Sequence, residues 1–77
     1  MTLEEAKKLL IGREVIWFNL RDGIKVIDVR RWSTGLGDGR IIVDLSDQNI
    51  TCIADPGTVR DKVTGKFLDD MMGTVDG

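Results

Sequence analysis

Cys52 is the one cysteine of the chain, and there is no histidine. For 77 residues no other feature narrows the possible folds so much. A disulfide needs a second cysteine and a structural zinc site needs several Cys or His ligands, so neither staple is open to this chain. A small domain without staples folds only by burying a compact apolar core. The apolar share is 42%, enough for such a core and too high for a wholly disordered chain. Trp17, Phe18, Trp32 and Phe67 are the only aromatic residues, so Ile, Val and Leu must supply most of the packing. One domain is expected over residues 1–68, followed by an acidic, frayed tail over residues 69–77.

The same absences bear on function. Without histidine the chain lacks the usual general base near neutral pH, the commonest zinc ligand and the simplest pH switch. Cys52 alternates with Ile50 and Ala54 and reads as a small core residue, with no histidine to activate it as a nucleophile. The aspartates fall mostly in turns and at strand ends, where they make local hydrogen bonds. Asp28 alone sits inside an apolar strand, on the face of Ile24, Val26 and Arg30, and a salt bridge with a basic neighbour is expected there. No catalytic, metal-binding or cofactor-binding residues are assigned. No apolar run is long enough to span a membrane. "MTLEEAKKLL" places acids where a secretion signal needs a basic start, and one cysteine suits a reducing compartment, so a cytoplasmic protein is expected.

Local signals lay out the elements. Thr2 and Glu5 form a capping box, and Leu3, Ala6, Leu9 and Leu10 make one apolar stripe, which predicts a helix stopped at Gly12. "REVIWFNL", residues 13–20, predicts a strand with Val15 and Trp17 on one face and Ile16, Phe18 and Leu20 on the other. Both faces are apolar, so cover on both sides or curling into a barrel is expected. Asp22-Gly23 predicts a tight turn. "IKVIDVRRW" (24–32), "RIIVDL" (40–45) and "ITCIAD" (50–55) follow as strands, with "SDQN" as a polar turn, which together predict an antiparallel meander. Beyond Pro56-Gly57 two readings compete. Val59, Val63, Phe67 and Met71 suit a helix capped by Asp55, whereas Gly65 and the β-branched residues suit a fifth strand and hairpin. The hairpin is favoured. The fold class is α+β: an N-terminal helix, then a strongly bent antiparallel sheet of four to five strands. Closure into an SH3-like barrel is the preferred architecture, and an open sheet with the helix across it is the alternative.

"RRWSTGLGDGR", residues 30–40, is the most distinctive segment. A dinucleotide-binding loop needs G-x-G-x-x-G opening a helix. Here the glycines are spaced G-x-G-x-G and a strand follows, so the segment reads as a long hairpin loop and not as a phosphate cradle. Arg30, Trp32, Gly35, Leu36, Gly37, Asp38 and Arg40 are the candidate partner-binding residues. Arg30 and Arg31 point to opposite faces of their strand, Arg40 sits near Trp32 across the hairpin, and an arginine over the indole would make a cation–π contact. Whether Trp32 closes one end of the core or stands exposed as an anchor is open at this point.

Charge is unevenly divided along the chain. Residues 1–40 carry eight Lys/Arg against six Asp/Glu, and residues 41–77 carry three against seven. The net charge of −2 and the lack of a basic aromatic stripe disfavour nucleic acid. The reading reached is a non-enzymatic protein-binding accessory or regulatory module. A nucleic-acid-binding barrel using the basic first half and a self-associating structural subunit are the alternatives.

Overall fold

A computed structural model of the protein describes residues 1–17, 23–32, 39–47 and 49–75. Helix α1 (Leu3–Leu10) begins where the capping box places it. The Thr2 hydroxyl accepts the Glu5 amide at 3.2 Å and the Glu5 carboxylate accepts the Thr2 amide at 2.9 Å. Hydrogen bonding from the Thr2 amide, with the Thr2 side chain adding to it, holds the Glu5 carboxyl below its ordinary pKa. The helix ends at Ile11, and the chain turns through Gly12 at a φ of 92°. The Gly12 amide donates to the Val26 carbonyl at 2.8 Å, which ties the end of the helix to the sheet.

Five antiparallel strands follow: β1 (Glu14–Trp17), β2 (Ile24–Arg31), β3 (Ile41–Ser46), β4 (Thr51–Ala54) and β5 (Val59–Asp61), in the spatial order β4-β3-β2-β1-β5. The fold is α+β, as the sequence predicts. The sheet is not closed into a barrel: among the described residues β4 and β5 do not pair and remain the two edges. A 3-10 turn (Pro56–Thr58) joins these two edge strands in sequence. Asp55 caps the turn, its carboxylate accepting the Gly57 amide at 2.8 Å, and Pro56 opens it. The cap and the proline act as expected, but they start a single tight turn and not a longer helix.

The competing readings of residues 58–72 both contain part of the fold. Val59–Asp61 is a fifth strand, and the chain turns back through Gly65, at a φ of 75°, to bridge Arg60 with Phe67. A short helix α2 (Leu68–Met72) follows. Residues from Asp69 on, read in the sequence as an acidic tail, thus begin inside a helix whose Leu68 and Met72 are buried. The N-terminal ammonium donates to the Thr74 carbonyl at 2.9 Å.

The core lies between the helices and one face of the sheet. Ala6 and Leu10 of α1 and Leu68 and Met72 of α2 join Val15, Val26, Val29, Val43, Leu45 and Val59 in one buried cluster. The other face of β1 is open, since Ile16 is 42% exposed. The cover on both sides expected for this strand is absent at that position. Phe18 and Leu20 lie outside the described residues. Strand β2 departs from simple alternation. Its register with β3 shifts between Val26 and Asp28, so that Val26 faces Leu45 while Val29 faces Val43. This bulge turns Val29 into the core and leaves Asp28 half-exposed, off the face of Ile24 and Val26.

Candidate functional site

The strand ends on either side of residues 33–38 are held by backbone and by arginine. The Trp32 amide donates to the Arg40 carbonyl at 2.8 Å, which places the two residues opposite each other across the hairpin. Arg31 is half-buried. It donates to the Gly39 carbonyl at 2.8 Å and to the Val75 carbonyl at 3.1 Å, fastening the hairpin to the C-terminal segment. Arg30 faces the other way, as alternation requires. Two of its nitrogens reach the two oxygens of Asp44, each at 3.1 Å, in a forked pair on the outer face. Arg40 is exposed, with Asp55 at 4.0 Å. Trp32 is half-buried and lies outside the core cluster. Gly35, Leu36, Gly37 and Asp38, also named as partner-binding, lie outside the described residues. The arginine-over-ring contact among the described residues joins Arg60 to Phe67, at 4.8 Å from the ring centre, and not Arg40 to Trp32.

Charges distant in sequence meet in the fold. Arg13 with Asp61, Arg30 with Asp44, Arg40 with Asp55 and Lys62 with Glu14 each join the basic first half of the chain to the acidic second half. The fifth ion pair among the described residues, Lys7 with Asp28 at 3.4 Å, is the salt bridge expected for that mid-strand aspartate. Neighbouring charges of opposite sign cancel within a few ångströms, so these pairs do not form two faces of opposite sign.

Asp61 is the one buried charged residue among those described, at 1% exposure. Burial opposes its ionisation. The amide and hydroxyl of Thr64 and the Arg13 guanidinium outweigh that effect and hold its carboxyl below the usual carboxylate range. Thr64 donates its amide at 2.9 Å and Arg13 lies at 3.4 Å. Arg13 also donates to the Leu9 carbonyl at 2.7 Å, so Asp61 pins the end of α1 to β5. The group is fully engaged in structure. Cys52 is half-buried against the core, and burial, with Asp47 and Asp44 nearby, pushes its thiol pKa up. A thiol with a raised pKa is a poor nucleophile. No group of three or more His, Cys, Asp or Glu residues placed to hold a metal is found among the described residues. Among the described residues no helix is long and apolar enough to cross a membrane.

The outer face of the sheet carries exposed isoleucines. Ile16, Ile27 and Ile53 stand 42%, 46% and 43% exposed. Charged side chains stand among them: Glu14 and Lys25 lie between Ile16 and Ile27, and Asp44 of β3, paired with Arg30, lies between Ile53 and β2. Beside Ile27 an open depression of about 450 Å³ is lined by Glu14, Gly23, Lys25, Ser46 and Asp47 as well. These isoleucines were not among the residues singled out from the sequence. Alternation within each strand does carry the signal, because each lies next to a core-facing residue. Compared with protein-family models, curated proteins and solved structures, the chain matches none of them.

Proposed function

We propose that this protein is a cytoplasmic, non-enzymatic binding module that acts by occupying a surface of another protein. The observation that carries this reading is the two-sided sheet. The helices cover one face, while the other presents Ile16, Ile27 and Ile53 at 42–46% exposure among charged side chains. Exposed aliphatic side chains on a sheet face that the helices leave uncovered, interspersed with charged ones, suit contact with a protein surface. The strand order, with a 3-10 turn leading from one edge strand to the other, supports reading the scaffold as an SH3-like meander left open. Trp32 and Arg40, which flank residues 33–38 and lie opposite each other, extend the contact surface in this reading.

The test is capture of a host protein by the tagged chain, repeated with Ile27→Asp and with Trp32→Ala. A partner retained by wild type and lost with Ile27→Asp, while the variant keeps the wild-type circular dichroism spectrum, is the expected result. A partner that ignores both substitutions removes the basis for this surface.

A further inference from the structure

The described arginines differ in what answers their charge. Arg13 has Asp61 and the Leu9 carbonyl, Arg30 has Asp44, Arg31 has the Gly39 and Val75 carbonyls, and Arg40 has Asp55. Arg60 has no oxygen partner among the described residues. Its guanidinium lies over the Phe67 ring, 4.8 Å from the ring centre. A ring face attracts the cation but leaves the guanidinium N–H donors without a full acceptor. The Glu14 carboxylate of neighbouring β1 is already taken by Lys62 at 3.1 Å.

The backbone fixes where this group stands. Arg60 pairs with Ile16 of β1 on one side and bridges Phe67 on the other. Directly opposed residues of an antiparallel pair share a face, so Arg60 and Ile16 lie side by side on the outer face. Both are exposed, Ile16 at 42%. The Phe67 carbonyl accepts the Met71 amide at 3.2 Å, which holds the residue under Arg60 at the start of α2.

We propose that Arg60 is the charged anchor of the outer face and takes a carboxylate from a protein partner: an Asp or Glu side chain next to an aliphatic residue that rests on Ile16. The inference rests on the protein-contact reading above and names the chemistry of the partner. Charge complementarity selects the occupant. Arg60 and Lys62 stand against the single carboxylate of Glu14 at this end of the face, whereas Arg30 with Asp44 and Arg40 with Asp55 balance at the other. A guanidinium receives a carboxylate through two parallel N–H···O bonds. One unanswered cation falls far short of the roughly six to ten phosphate contacts of a nucleic-acid footprint. The Phe67 face on which a base would stack is already occupied by Arg60.

The probes are a fluorescein-labelled peptide containing Glu-Leu-Glu-Leu-Glu, its counterpart with Gln for Glu, and a labelled single-stranded oligonucleotide. Each is titrated with the whole chain by anisotropy at about 20 mM and about 0.3 M salt. The acidic peptide is expected to bind about tenfold more tightly than the Gln peptide at low salt and to lose most of that margin at high salt. Arg60→Gln is expected to weaken it about fivefold, and Arg60→Lys about twofold, since lysine keeps the charge and loses the fork. Lys8→Gln removes the same charge from α1 and is expected to change nothing. Equal affinity for the two peptides overturns the proposal, as does an equal loss with Lys8→Gln, which would mean net charge alone. An oligonucleotide that binds more tightly than the acidic peptide and is weakened by Arg60→Gln assigns the residue to phosphate and also overturns it. A host partner lost with Ile27→Asp but kept with Arg60→Gln leaves the protein-contact reading standing and removes this one.

Discussion

Asp61 shows how one residue settles the relation between two elements. Its carboxylate is 1% exposed, yet it receives the Thr64 amide and the Arg13 guanidinium, which itself grips the last turn of α1. Its pKa is lowered in the fold relative to an unfolded value of about 3.9. A lowered folded pKa contributes stability that is complete above the unfolded value and is lost as pH falls through the folded one. Asp61→Asn is therefore expected to destabilise by about 2 kcal/mol at pH 7. The difference from wild type should shrink below about pH 4, as measured by denaturant unfolding at a series of pH values. Gly65 makes a simpler case. Its φ is 75° and a Cβ there would meet nothing within 4 Å, so only backbone strain opposes a side chain. Gly65→Ala is expected to cost about 1 kcal/mol, read from the shift of the thermal midpoint. In the sequence, Gly65 is legible as a turn residue. Asp61 is not, because its partners Arg13 and Thr64 lie on different sides of it in the chain, one of them 48 residues away.

Elements whose signals are local match their sequence reading best. The capping box at Thr2 and Glu5 and the stop near Gly12 stand where the sequence puts them, whereas the Asp55–Pro56 start, read as the cap of the competing helix, opens only a 3-10 turn. Pairing overrides local pattern in β2. "IKVIDVRR" predicts Asp28 on the face of Ile24 and Val26, but β3 offers Leu45 and Val43 two residues apart to apolar positions of β2 that are three apart. The bulge absorbs the extra residue, and nothing within β2 alone announces it. After Pro56-Gly57 the favoured reading stands, a fifth strand followed by a turn back at Gly65, and the helix comes later than the competing reading put it. Its residues carry weak signals for both hairpin and helix, and the fold uses a turn first and a helix second. Leu68 is fully buried between α2 and the rest of the core. Leu68→Ala is expected to cost about 3 kcal/mol, measurable as a lowered denaturation midpoint with an unchanged slope. A value near zero would mean that α2 is not part of the cooperative unit.

At the scale of the whole molecule, charge is the property most changed by folding. Along the chain it divides into a basic and an acidic half; in the fold, four ion pairs join these halves. The positive potential expected of a nucleic-acid surface is cancelled locally. Single- and double-stranded oligonucleotides at about 0.15 M salt are therefore expected not to bind below about 100 μM, as read by fluorescence anisotropy. Micromolar binding that weakens steeply with salt would replace protein contact with the nucleic-acid alternative. The candidate surface was legible in part. Arg30, Trp32 and Arg40 do come together at one end of the β2–β3 hairpin, because a hairpin brings its stems together whatever its loop does. The isoleucines of the outer face were not legible as sharing one face, since they come from β1, β2 and β4, which only the strand order places in one sheet. By itself the sequence determined the composition of the core, the absence of staples, the capped start of α1 and the antiparallel class of the sheet. These follow from residue type and from spacings of a few residues. Only the tertiary structure decided that the sheet stays open, that the helices cover one of its faces, that β2 bulges, and that Asp61 is buried with its charge. Each depends on which distant segments pair, and short-range periodicity carries no information about that choice.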